Sequence, residues 1–103
     1  MKIIIVGCGR FGSELAMRLF TGGHDVIVVD RIGEAFNNLP QTFKGRFIEG
    51  DALNSDVLRR AEIERAEALA AVTDNDALNI SVGHLAREIF HVPLVVCRNY
   101  KPS

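Results

Sequence analysis

The sequence predicts an α/β protein: a doubly wound parallel sheet with helices on both faces. Three observations predict it. Short apolar runs, mostly β-branched, recur along the chain; stretches with helical spacing separate them; and glycine, proline or capping residues mark the boundaries. The chain has 103 residues, room for one small core, and reads as a single domain over 1–103.

Taken in order, Lys2–Val6 is the first strand. Phe11, Leu15, Leu19 and Phe20 fall roughly on one face of a helix that should stop at Gly22-Gly23. Asp25–Val29 is the second strand. Phe36 and Leu39 mark a shorter helix, ended by Pro40, and Arg46–Glu49 forms the third strand. Val57, Leu58 and Ala61 mark the next helix, opened by Asn54 or Ser55 as a cap. Ala68–Thr73 is the fourth strand. Leu78, Val82, Leu85 and Ile89, in steps of four, three and four, mark a last helix that Asp74 or Asp76 can cap. Leu94–Arg98, entered through Pro93, is the fifth strand, and Asn99–Ser103 carries no pattern. The near-continuous apolarity of strands one, two and five suits burial on both faces. Right-handed crossovers then give the strand order 3-2-1-4-5.

Composition narrows the function. The net charge of −1 leaves no basic footprint for nucleic acid or anionic lipid, and runs such as Ala68–Val72 are far shorter than the ~20 residues of a membrane span. The chain opens directly on a strand, which leaves no place for a signal peptide. Cys8 and Cys97 lack CxxC or metal-ligand spacing, and two free thiols are expected, in a cytosolic setting. They should lie about 10 Å apart across the sheet, too far for a disulfide.

Gly7-Cys8-Gly9-Arg10-Phe11-Gly12 is a GxGxxG sequence directly after a strand and opening a helix, with Asp30 about twenty residues on. That context is the Rossmann dinucleotide fingerprint. Gly7 permits the tight turn, Gly9 lets the backbone approach a pyrophosphate, and Gly12 lets the helix pack close. Free N–H groups and the helix dipole would then face phosphates, with Cys8 filling a position where a small residue suffices. Asp30 can accept both hydroxyls of an adenosine ribose and repels a 2′-phosphate, which favours NAD(H) or ATP/ADP over NADP(H). Arg31 could pair with a 2′-phosphate, lie over the adenine, or point to solvent.

Ligands of such sheets sit beyond the carboxyl ends of the strands. Asp51-Ala52 follows strand three, with Ala52 against adenine and Asp51 at its exocyclic amine or, alternatively, forming a turn and cap. Thr73-Asp74 follows strand four, near the phosphates or a second ribose, with capping the other reading of Asp74. Arg98 closes strand five; it and Arg10 could reach a phosphate or a partner subunit. His24, His84 and His91 pair with no nucleophile, so no catalytic residues are expected.

These residues resemble a known family. MKIIIVGCGRFG, Asp30 after VIVV, Gly50-Asp51-Ala52, and Val72-Thr73-Asp74-Asn75-Asp76 followed by Asn79 are similar to the RCK-N/KTN (TrkA-N) domain of Trk/Ktr-type potassium transport regulatory subunits. The resemblance covers the whole chain. It implies a cytoplasmic domain that binds NAD(H), ATP or ADP and changes shape with its ligand. It further implies a homodimer or higher homo-oligomer and a membrane-embedded potassium transporter subunit as partner. Gly7–Gly12 would hold phosphates, Asp30 the ribose and Asp51-Ala52 the adenine. Thr73-Asp74 would lie near the second half of the ligand, with Arg98 at the rim. Family members continue past strand five, so a truncated chain or a covering partner is expected there. The alternative function is the cofactor-binding fragment of an NAD-dependent oxidoreductase.

Overall fold

β1 (Lys2–Val6) and β2 (Asp25–Asp30) run side by side in parallel, with Ile4 opposite Ile27 and Val6 opposite Val29. In the computed structural model, which describes residues 1–99, this pair is the centre of a five-stranded sheet. β3 (Arg46–Glu49) flanks β2, β4 (Ala68–Ala71) flanks β1, and β5 (Leu94–Cys97) lies beyond β4. Every pairing is parallel and the order is 3-2-1-4-5, as expected of a Rossmann-like sheet. The expectation for the tail beyond Asn99 lies outside the described residues.

Because successive side chains alternate, β1 and β2 feed two separate cores. Ile4, Val6, Ile27 and Val29 pack with Leu58 and Ala61 around α2 (Ser55–Arg60) and with Val82 and Ala86 around α3 (Asp76–His84). Ile3, Ile5, Val26 and Val28 pack against Ala16 of α1 (Arg10–Thr21), with Phe43 beside them. The eight β1 and β2 residues in these two cores are each at most 5% exposed, the two-sided burial that their apolar runs imply. β5 departs from that expectation: as the edge strand beyond β4 it leaves Leu94 and Val96 exposed on one face. Asn54 caps α2, its side chain accepting from the Asp56 N–H at 2.8 Å.

Several elements depart from the sequence reading. β2 extends through Asp30, while β4 ends at Ala71 and β5 at Cys97. The short helix around Phe36 is a 3-10 helix, Gly33–Asn38. Neither Asp74 nor Asp76 caps α3; Asn75 does, accepting from the Leu78 N–H at 3.0 Å. The last helix is not regular to Ile89. After His84 it opens into a π turn, Leu85–Ile89, with Phe90 N–H reaching the Leu85 carbonyl. The extra residue in that turn rotates the following side chains. Ile89 therefore swings out to 57% exposure, while Phe90 packs on the core in its place. Phe11, expected on the apolar face of α1, is 46% exposed instead.

Candidate functional site

The carboxyl ends of all five strands open onto one cleft of about 1070 Å³. It lies across the β1–β4 boundary, where the winding direction reverses and where such sheets place their ligands. Of the candidate residues, all but Cys8 and Gly12 line it: Gly7, Gly9, Arg10, Phe11, Asp30, Arg31, Asp51, Ala52, Thr73, Asp74 and Arg98.

Two of the three loop glycines are sterically required, and the third stands in open space. Gly7 has φ +108°, and a Cβ there would lie 3.0 Å from the Thr73 backbone nitrogen. Its N–H continues the sheet by donating to the Val29 carbonyl at 2.8 Å. At Gly12 a Cβ would land on the Gly7 carbonyl oxygen, so only glycine lets α1 approach the loop. Gly9 is the N-cap of α1, and a Cβ there would meet nothing within 4 Å. Space is thus open where the helix starts. The first i→i−4 bond of α1 runs from Ser13 N–H to the Gly9 carbonyl at 2.9 Å, so the N–H groups of Arg10, Phe11 and Gly12 precede the helical ladder. Together with the macrodipole this suits an anion.

Asp30 is fixed by the main chain on both sides. One carboxylate oxygen accepts from the Cys8 N–H at 2.7 Å, the other from the Ile32 N–H at 2.8 Å. The acid at the end of β2 therefore braces the glycine loop while facing the cleft. Cys8 itself is fully buried, its side chain pointing away into the α1-side core. Burial, and secondarily the Asp30 carboxylate, push its thiol up to about 11, which suits packing rather than redox chemistry. Both cysteines are free thiols.

On the far rim, the Asp51 carboxylate turns back to accept from the Leu53 N–H at 2.8 Å, so the turn reading describes this side chain. Ala52 beside it is 6% exposed. The Thr73 hydroxyl donates to Asn79 Oδ1 at 2.6 Å. Asp74 stays exposed in the cleft. The Arg98 guanidinium lies over the Phe11 ring, 4.5 Å from its centroid, which explains why Phe11 leaves the core face of α1.

Two residues outside the candidate set hold this site together. Asn79, fully buried on α3, accepts from the Thr73 N–H and donates to the carbonyls of Thr73 and Arg98, joining the ends of β4 and β5. Asn38 donates to the Cys8 carbonyl at 3.0 Å and anchors the loop from below. The signal for Asn79 is its place after Val72-Thr73-Asp74-Asn75-Asp76 in the pattern that carries the family resemblance; Asn38 has no sequence signal.

A family profile described as TrkA-N domain matches residues 3–103. The Trk system potassium uptake protein TrkA of Streptomyces coelicolor is 46% identical over 99% of this chain and is itself covered to 46%. A Trk system potassium uptake protein TrkA homolog from Pyrococcus abyssi is 39% identical over the full chain and covered to 45%. The chain thus spans about half the length of these curated relatives. Among solved structures, the TrkA-N domain of inner membrane protein ybaL from Escherichia coli matches with a TM-score of 0.74 at 20% identity, over 92% of this chain and 85% of that one. The Shewanella denitrificans Kef CTD in AMP-bound form matches with 0.73 at 24% identity, over 91% and 57%. At such identities the likeness is one of fold.

Proposed function

This chain belongs to the TrkA-N domain family, and on that premise we propose that it is a nucleotide-sensing regulatory domain of a potassium uptake system. Its ligand is an adenine nucleotide with a free ribose 2′-hydroxyl, NAD(H) or ATP/ADP, in preference to NADP(H). The observation that carries this reading is the Asp30 carboxylate, held by two main-chain N–H groups at the end of β2 beside an open helix N-terminus. Each carboxylate oxygen has lone-pair capacity left for a ribose hydroxyl, and a 2′-phosphate at that place would meet like charge. The main chain from Gly9 to Gly12 would hold phosphates, Ala52 would lie against adenine, and Arg10 and Arg31 would supply counter-charge.

The relatives' names, potassium uptake proteins, support a binding role rather than an enzymatic one. Among the described residues no helix is long and apolar enough to cross a membrane. The relatives' names point to a membrane-embedded potassium transporter as the partner through which the ion passes. The domain would lie on the cytoplasmic side of that partner and work as a homodimer or larger assembly. Regulation requires that nucleotides bind two arrangements of the assembly with different affinity.

Titration calorimetry with NADH, ATP and NADPH tests the ligand reading. Micromolar binding of the first two, weaker NADPH binding, and a loss of at least about tenfold for both on Asp30→Ala are expected, since charge-assisted hydrogen bonds are removed. Binding that ignores Asp30→Ala would defeat it.

A further inference from the structure

The peptide joining Cys8 to Gly9 decides what the start of α1 presents to the cleft. The Cys8 side chain is sealed in the core, and its N–H is held by Asp30 at 2.7 Å. The peptide that follows can still turn, by a paired rotation about ψ of Cys8 and φ of Gly9. Gly9 has no Cβ, and the space where one would stand is open, so a flip meets no steric barrier there. One contact opposes the flip: the Asn38 side-chain amide donates to the Cys8 carbonyl at 3.0 Å.

In a trans peptide the carbonyl and the next N–H point in opposite directions. The Gly9 N–H, which has no hydrogen-bond partner among the described residues, therefore points away from Asn38. Asn38 stands outside the cleft, in a separate groove with Ser13 and Met17 of α1, whereas Gly9 lines the cleft itself. Asn38 is held in reach of the loop by its neighbours. Ala35, Phe36 and Leu39 pack on the α1-side core, and the Leu39 N–H closes the 3-10 turn on the Phe36 carbonyl at 3.0 Å.

We propose that Asn38 is a positioning residue for the anion seat: by holding the Cys8 carbonyl it aims the Gly9 N–H at the phosphate nearest the ribose. The proposal rests on the nucleotide reading above and adds to it a residue outside the glycine motif. Asp30 and Asn38, at the two ends of one short segment after β2, hold Cys8 by its N–H and by its carbonyl. Without Asn38 the peptide samples both orientations. The apparent affinity for a phosphate then falls with the fraction of loops that keep the N–H aimed. Adenosine, which carries no phosphate, is indifferent to that fraction.

Two-dimensional 1H–15N NMR titrations of AMP and adenosine into the wild-type chain, Asn38→Leu and Asn38→Ala test this, because they read weak affinities and the Gly9 amide together. Asn38→Leu keeps the shape of the side chain and loses its donor. In the wild-type chain AMP is expected to move the Gly9 amide proton downfield, the mark of a new hydrogen bond to an anion. Both variants are expected to bind AMP about fivefold more weakly and adenosine within about twofold of wild type. A purely structural anchor would weaken the two ligands alike. Equal losses for AMP and adenosine, or no loss for AMP, would overturn the proposal, as would a Gly9 amide that AMP leaves in place; nucleotide binding itself would stand in each case. If the wild-type chain binds neither ligand, the reading beneath the proposal fails and takes it down too.

Discussion

Asn79 has no contact with solvent, and its amide is fully used: two bonds accepted from Thr73, one donated to the Thr73 carbonyl and one to that of Arg98. Asn79→Ala leaves the part-buried N–H and hydroxyl of Thr73 and two carbonyls without this partner, and denaturant unfolding is expected to show a loss of about 2–4 kcal/mol. Cys8 makes a different prediction. With its thiol raised to about 11, only about one part in a thousand is thiolate at pH 8, and the side chain is sealed from solvent. Iodoacetamide at pH 8 should modify Cys8 in the native protein at least about a hundredfold more slowly than in the unfolded chain, as peptide mapping by mass spectrometry would show. The placement of these residues was only partly legible in advance. Gly7, Gly12 and Asp30 announce their geometry because a close backbone approach or a carboxylate bonded to the main chain admits few residue types. Asp51 and Asp74 do not, because an exposed aspartate serves a turn, a cap or a ligand with equal ease, and the competition between Asp74 and Asn75 for the α3 cap depends on backbone angles that spacing does not encode.

At the scale of elements, α3 packs unusually close to β5. A Cβ on Gly83 would land on the Cys97 sulfur, whose thiol also donates to the Asn79 carbonyl at 3.3 Å. Glycine inside a helix ordinarily costs about 1 kcal/mol relative to alanine. Here the steric term wins: Gly83→Ala alone is expected to destabilise, and in a Cys97→Ala background the same change should become neutral or stabilising. A double-mutant cycle by thermal or urea unfolding reads the sign reversal directly. The π turn that follows explains why the apolar spacing of the last helix misled. Steps of four, three and four to Ile89 assume 3.6 residues per turn throughout, and a single wider turn hands the core position to Phe90. Strands were more legible than helices. Two-sided burial writes itself as an unbroken apolar run in β1 and β2, whereas the 3-10 helix at Gly33–Asn38 has no buried residue to betray its period.

At the scale of the molecule, the pole opposite the cleft is tied by charge. Lys2 pairs with Asp25 at 2.7 Å and Glu62 at 3.3 Å, while Arg46 pairs with both of those carboxylates. Glu62 adopts a left-handed φ of 63° in the turn before β4, a conformation uncommon outside glycine that the surrounding structure must enforce. The Lys2 hydrogen bond chiefly lowers the Asp25 carboxyl, and Arg46 chiefly lowers Glu62. A carboxyl depressed by folding adds stability above its unfolded value and loses that contribution as pH falls through its folded value. Wild-type stability should therefore decline below about pH 4.5, and the disadvantage expected of Lys2→Met at pH 7 should fade toward pH 3 in urea titrations followed by circular dichroism. The strand order and the shared rim were legible because chain connectivity fixes them once strands and helices alternate. This ionic belt was not, since its members lie up to 60 residues apart and meet only when the sheet is assembled. At the other pole, one short bond has a mechanical corollary. Since the Asp30 carboxylate grips the Cys8 amide directly, the proposed sugar clamp and anion seat would be bolted into a single jaw: a displacement of either would drag the other, and neither would have to be shaped anew when a guest arrives.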